Sequence, residues 1–312
     1  MDAKPIFIII VDGFVAVQYF LGVFEMSDYK IITDSGCDLP EEMLSQLNVQ
    51  TVPLFVNFRG QELADSVDDG IKELYAGLRG GEIATTSAVN PDRWMAKMES
   101  VLAEGMDVLT VTFSSGLSTT YQSAVIAGNE LKEKYPDRKI FVVDSLCAAL
   151  GQGLLIWYAC QMKDSGMGIE ELAAWVEENK LNLCHWVTVD DLMYLKRGGR
   201  VSAATAVVGT MLQIKPIIHV NDEGKLISVG KARGRKASIQ TLAQKALELG
   251  EGFDNSTMFI CHGDCEEDAK YLESLVKEKC GVKEVFIGYI GAVIGSHAGP
   301  GTLALFFIGK HR

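Results

Sequence analysis

The chain is short of positive charge. It carries 29 lysines and arginines against 41 aspartates and glutamates, a formal net charge of −12. A protein that neutralises phosphates needs the opposite balance, so nucleic acid and anionic membrane surfaces are excluded as main partners. The chain also lacks a disulfide framework. Its seven cysteines, at positions 37, 147, 160, 184, 261, 265 and 280, are odd in number and irregularly spaced, which points to a reducing, cytoplasmic setting. Cys261-His262-x-x-Cys265 looks metal-like, but the second pair that a zinc site needs is missing. It reads as a strand end and turn, and no metal or cofactor is expected. There is no G-x-x-x-x-G-K-[ST] loop, hence no P-loop nucleotide site in this chain. No repeat or low-complexity segment occurs.

What is present is a globular balance, 48% hydrophobic and 22% charged, on 312 residues, enough for about two domains. Residues 1–28 stand apart as an apolar leader. Pro5 to Phe24 is about long enough to span a bilayer, but Asp12 and Gln18 interrupt it. Lys4 and Glu25 also fit a signal peptide poorly. Met26 opens MSDYKIITDSGCDL, which reads as a natural start. The expectation is therefore a misassigned upstream start rather than a stable membrane insertion.

From Tyr29 onward strands and helices alternate. Tyr29–Thr33 is a strand that ends in Asp34-Ser35-Gly36-Cys37-Asp38, the kind of polar loop where open α/β sheets place ligands. Val49 to Phe58 reads as one strand and Asp65 to Leu78 as a helix. Asn90 before Pro91 is a helix start. The apolar segment from Cys147 to Met162 reads as a helix packed on both sides, despite Gly151 and Gly153. This order predicts an α/β fold with a parallel sheet over residues 29–188. Beyond it the pattern changes. Asn221-Asp222-Glu223-Gly224 is a hairpin turn, Ser202 caps a small-residue helix from Ala203 to Leu212, and the helices segregate. An α+β domain with an antiparallel sheet is predicted for residues 189–312.

The centre of the chain is DVLTVTFSSGLSTTYQSAVIA, residues 107–127. It reads as a buried strand, a hydroxyl-rich loop and a helix, with Ser118 in the N-cap position. A helix start offers unpaired N–H groups, and hydroxyls add donors that rotate to suit a ligand. Such a cup suits a phosphate or carboxylate, although a plain capped helix would have the same sequence. Thr85-Thr86-Ser87 is a second hydroxyl cluster before a helix start, and His297 lies in the glycine-rich stretch from Gly291 to Gly301. Ser118 and His297 also admit a serine-esterase reading, with Asp144 as the group that orients the histidine. The α/β-hydrolase elbow is G-x-S-x-G, and Gly116-Leu117-Ser118-Thr119-Thr120 lacks its second glycine.

Together, TDSGCDL at 33–39, TTSAVNP at 85–91, SSGLSTTYQSA at 114–124, DDLMYLKRGGRVS at 190–202 and IGSHAGPGTLAL at 294–305 resemble the DegV family. Its characterised members include FakB, the fatty-acid-binding subunit of bacterial fatty acid kinase. The resemblance covers the chain from about Tyr29 to its last residues. Ala88 and Val89 stand where the family usually has Gln-Pro, and Thr119 stands where it has glycine; the hydroxyls remain. The resemblance implies two domains with a long-chain fatty acid between them and no turnover by this chain alone. It implies that Thr86 and Ser118 hold the carboxylate, with Ser87 and Ser115 in the same clusters and His297 close by. It further implies that Arg200 and Arg233 engage a separate ATP-dependent kinase, which makes the acyl phosphate.

Overall fold

Ile31, Ile32, Val108, Leu109 and Val111 are all fully buried, so neither face of their strands meets water. That is the condition of parallel strands covered on both sides. The computed structural model describes residues 29–68, 70–201 and 213–312. The apolar leader and the helix expected from Ala203 to Leu212 lie outside the described residues.

In chain order the first half comprises β1 (Tyr29–Asp34), α1 (Glu41–Gln46), β2 (Gln50–Val52), β3 (Phe55–Phe58), β4 (Gln61–Ala64), α2 (Ile71–Arg79), β5 (Thr85–Ser87), α3 (Pro91–Ala103), β6 (Asp107–Thr112), α4 (Thr120–Lys134), β7 (Ile140–Asp144), α5 (Leu150–Asp164) and α6 (Ile169–Asn179). The second half adds β8 (Leu183–Thr188), α7 (Met193–Arg197), β9 (Ile214–Val220), β10 (Leu226–Arg233), α8 (Arg235–Leu249), β11 (Thr257–His262), α9 (Glu266–Cys280), β12 (Glu284–Tyr289), α10 (Ala292–Ala298) and β13 (Leu303–Ile308).

The first sheet is parallel in the order β2-β1-β6-β7. A six-stranded sheet, β10-β9-β8-β13-β11-β12, forms the second half. It is antiparallel except for the β11–β12 pair, which is parallel because α9 crosses over between them. Two expectations change here. Val49–Phe58 is not one strand. The chain breaks at Pro53, and β3 leaves to form a separate antiparallel sheet, β4-β3-β5, in which Val56 faces Thr86. Strand β8, expected to close the first domain, pairs with β13 and β9 instead. A division by sheets therefore falls between α6 and β8, ahead of residue 188.

α5 is the element both halves share. Leu150, Leu154 and Leu155 are buried in the core beneath the parallel sheet, and the helix also packs on β8, β11 and β13. Its two glycines are required by that fit. A Cβ on Gly151 would strike the His185 ring, and one on Gly153 would come within 2.7 Å of the Cys37 carbonyl. The hairpin turn before β10 closes the other side. Ser114 Oγ donates to the Gly224 carbonyl (2.8 Å) across the junction, and a Cβ on Gly116 would sit 2.5 Å from the Glu223 carbonyl. Tyr75 of α2 donates to the Ile290 carbonyl (2.9 Å), and Arg79 pairs with Asp264. No helix among the described residues is long and apolar enough to cross a membrane.

Candidate functional site: a cavity between the two halves

The loop after β6 is built tightly. Phe113 N–H donates to Asp34 Oδ2 (2.7 Å), Ser115 N–H to Asp144 Oδ1 (3.1 Å), and the N–H groups of Leu117 and Ser118 both donate to the Ser114 carbonyl (3.1 Å). This closed turn delays the helix by one residue. The N-cap of α4 is Thr119, which makes no side-chain cap bond, rather than Ser118. Ser118 Oγ instead accepts from Thr120 N–H (3.2 Å) and lies 2.8 Å from Thr120 Oγ1. Its half-buried hydroxyl faces the cavity.

Thr86 reaches the same cavity from β5, a short edge strand. Its Oγ1 lies 2.7 Å from His297 Nε2. His297 was expected in a glycine-rich loop, but it stands in α10, a helix that fits because Gly295 leaves room for Tyr75. A Cβ there would lie 2.5 Å from the tyrosine oxygen. The other side of the imidazole lies against Gly198, where any Cβ would collide with Nδ1. Arg200 then joins the two lips, donating from Nε to the Leu117 carbonyl (3.2 Å) and from Nη1 to the Gly198 carbonyl. An unbroken series of contacts thus runs from Thr86 through His297, Gly198 and Arg200 to the loop that carries Ser118. Burial first, and the Arg200 charge second, push the His297 pKa down to about 4. The imidazole is neutral at physiological pH, with one nitrogen a donor and the other an acceptor.

Behind this polar cluster lies a cavity of about 470 Å³. Leu54 and Phe113 wall it from the first half, and Val187, Val189, Val293 and Phe306 from the second. Its size and make-up are those of a small-molecule site. His185 also faces it, but both ring nitrogens are used: Nδ1 bonds the Leu183 carbonyl (2.9 Å) and Nε2 accepts from Ala148 N–H (3.3 Å). Burial pushes its pKa down to about 3, so it is a neutral part of the wall.

Of the residues expected in the site, Thr86, Ser87, Ser115, Ser118 and His297 all line this cavity, Ser87 from an exposed position. Arg200, expected to face a partner, is half-buried in the lining with its bonds directed inward. Arg233 is exposed at the end of β10, away from the lining. The esterase geometry is not assembled. His297 Nε2 meets Thr86 rather than Ser118, and Asp144 accepts from the backbone at Ser115 and Leu146. Cys261 lines the cavity, while His262 Nδ1 accepts from Cys265 N–H (3.3 Å), so that cluster is a strand end and turn. Sequence reasoning missed Gly198 and His185 because their neighbours come from distant parts of the chain.

An apolar chamber shared by two α/β halves, with hydroxyls, a neutral imidazole and a guanidinium gathered at one place, has the shape and chemistry that suit an amphipathic small molecule. The chain belongs to the DegV family, whose profile, described as an uncharacterised protein of the DegV family, matches residues 28–310. A DegV domain-containing protein of Clostridium perfringens is 46% identical, with 92% of this chain and 99% of that protein aligned. The structure of a DegV family protein from Thermus thermophilus, described as fatty acid binding, superposes with a TM-score of 0.81 at 30% identity, covering 90% of this chain and 99% of that one. A stearic acid-binding protein from Eubacterium ventriosum gives a TM-score of 0.82 at 28% identity, covering 90% and 98%.

Proposed function

We propose that this protein binds a long-chain fatty acid in the cavity and presents its carboxylate to a separate ATP-dependent kinase, which converts it to an acyl phosphate. The observation that carries this reading is the chemical division of one cavity into an apolar chamber and a single polar cluster. A carboxylate only accepts hydrogen bonds. Thr86 can accept from His297 Nε2–H, and Ser118 from Thr120, while their own hydroxyl protons, like that of Ser115, are donated to it. Removing a charged head group from water is costly unless it is bonded and compensated, and Arg200 supplies the compensating charge. Each buried methylene of the tail adds roughly 0.8 kcal/mol. The fatty-acid-binding relatives in Thermus thermophilus and Eubacterium ventriosum support the same ligand class.

The kinase step is what the resemblance to the family's FakB members implies. Without a phosphate loop of its own, the phosphoryl donor comes with the partner. A carboxylate oxygen attacks the γ-phosphorus of ATP, the bond to the bridging oxygen breaks, and ADP leaves. Between Lys225 and Lys236 there are five cations and no acid, on a chain of net charge −12. Lys225 is paired with Glu223, and Arg235 with Asp190 and Asp268, which leaves Lys231, the exposed Arg233 and Lys236 to steer an acidic partner. The test is denaturing extraction of the purified protein followed by lipid mass spectrometry. About one long-chain acid per chain is expected, and no stoichiometric acyl ligand after expression in lipid-replete cells would sink the proposal.

A further inference from the structure

The Thr33-Asp34-Ser35-Gly36-Cys37-Asp38 segment lies outside the cavity lining, yet it organises the walls. Three carboxylates meet behind the chamber: Asp34, Asp38 and Asp65, the most exposed of them at 8%. Phe113 N–H donates to Asp34 Oδ2 (2.7 Å), Val293 N–H donates to Asp65 Oδ1 (2.8 Å), and Leu54 N–H donates to Ser35 Oγ (3.0 Å), which itself donates to Asp65 Oδ2 (2.8 Å). Phe113, Val293 and Leu54 are all wall residues, supplied by the loop after β6, by α10 and by the β2–β3 link. The backbone of three separate walls is therefore fastened to one acidic cluster.

That cluster has no cation. Among the described residues no Lys, Arg or His bonds to these carboxylates; their partners are backbone N–H groups, Ser35 and Gln152. Asp38 is buried with neither oxygen in a hydrogen bond of ordinary geometry; the Gly291 N–H is directed at it and only partly offsets the cost of its charge. Asp38 Oδ1 and Asp65 Oδ1 face the same point, for a Cβ on Gly291 would lie 2.6 Å from the first and 3.2 Å from the second. The remaining titratable groups that face the cluster are Cys37, Tyr75 and Cys261, and burial pushes all three upward, so they stay neutral. Two buried carboxylates aimed at one point cannot both ionise cheaply.

We propose that Asp34, Asp38 and Asp65 form a proton-holding hub that positions the acyl site, with Asp65 as the residue that sets α10 and hence His297. The hub spans the junction, because its carboxylates belong to the first half and the Gly291–Val293 backbone to the second. Losing the proton leaves a buried charge on Asp38 that no cation compensates, and favours arrangements in which Asp38 opens to water and the Gly291–Val293 backbone beside it shifts; a charge on Asp65, by contrast, is held by the Val293 N–H and Ser35 Oγ. The fraction of molecules competent to bind then falls, and the apparent affinity falls with it. Burial pushes Asp34 up to about 7, Asp65 up to about 6 and Asp38 well above the usual carboxylate range, so the loss begins in mild acid and extends to alkaline pH.

The inference rests on the fatty-acid reading for its binding arm only. The full chain is delipidated, and thermal midpoint and palmitate affinity are measured between about pH 6 and pH 8.5 for wild type, Asp38→Asn and Asp65→Ala. Wild type is expected to lose stability and, by about tenfold, affinity as pH rises, since each pKa unit of coupling is worth a factor of ten. Asp38→Asn should flatten both profiles and raise the midpoint at the alkaline end, which loss of a merely structural contact would not do. Asp65→Ala should weaken palmitate binding at every pH, because Val293 loses its acceptor. Flat wild-type profiles, or an Asp38→Asn protein no more stable than wild type at alkaline pH, would overturn the hub. Infrared spectroscopy of the unsubstituted protein decides the matter even if a variant fails to fold. A protonated-carboxyl band at about pH 6.5 that bleaches on raising pH is expected, and its absence rejects the proposal. Neither the midpoint nor the band needs lipid, so a failure of the hub is distinguishable from a failure of the fatty-acid reading.

Discussion

Thr86 and Ser118 reach one cavity from different elements, and their substitution has a measurable signature. Thr86→Ala and Ser118→Ala are each expected to weaken fatty acid binding, since a hydrogen bond to a charged group is worth roughly 1.5–3 kcal/mol. The double substitution should cost less than the sum, because both donors serve one carboxylate. Titration calorimetry with palmitate checks this, and unchanged affinity in both single variants would remove them from the site. Gly198→Ala tests the contact behind them. Gly198 has an ordinary helical backbone, so the added methyl acts only by displacing the His297 ring. Affinity should fall while the thermal midpoint moves little. The hydroxyl clusters and His297 could be picked out in the sequence, but their residues alone read as plain caps and a turn, and only the family resemblance joined them into one site. The purpose of Gly198 was not legible, since the side chain it accommodates lies far along the chain. The inward turn of Arg200 was hidden for the same reason: its acceptors are backbone carbonyls, which no sequence pattern displays.

At the level of elements, local chemistry was the reliable guide. Asn90 caps α3 as its Asn-Pro signature predicts, accepting from Arg93 N–H (2.9 Å). Asn90→Ala should cost about 1 kcal/mol of stability, measured by chemical denaturation, with fatty acid affinity retained. The turn from Asn221 to Gly224 is likewise where its residues place it, with Asn221 Oδ1 accepting from Glu223 N–H (3.2 Å) and Lys225 N–H (2.9 Å). Pairing was harder to read. Thr85–Ser87, read only as a hydroxyl cluster before a helix start, is a strand, because β3 lies beside it to share hydrogen bonds. The assignment of β8 to the second sheet depends on β13, more than a hundred residues later in the chain. Nothing inside Leu183–Thr188 distinguishes one sheet from the other.

For the molecule as a whole, two sets of buried groups pull stability in opposite directions with pH. Raised acids such as Asp34 and Asp65 contribute stability that is present below the ordinary carboxylate value and lost as pH rises through about 6 to 7. His297 and His185, lowered to about 4 and about 3, take up protons more readily when unfolded, so they cost stability as pH falls below 6.5. In mildly acid solution the two sets oppose each other, and above that range the acids act alone. A scanning-calorimetry midpoint that changes little in mild acid, where the two sets oppose each other, and falls through about pH 6 to 7 is expected. At the same scale, if the proposed kinase presentation holds, Arg233→Ala should leave lipid binding nearly intact and slow phosphorylation of the bound acid by that kinase. Collapse of lipid binding would instead assign the residue to the fold. The shared cavity has a further consequence for anyone who would divide this protein. A cut between α6 and β8 leaves each fragment with one greasy half-wall facing water, and such patches associate. Only the rejoined pair offers the ligand a complete enclosure, so an added fatty acid draws severed halves together by mass action. On the proposed function the cargo becomes the linker, and a chain split there is a two-piece sensor for it.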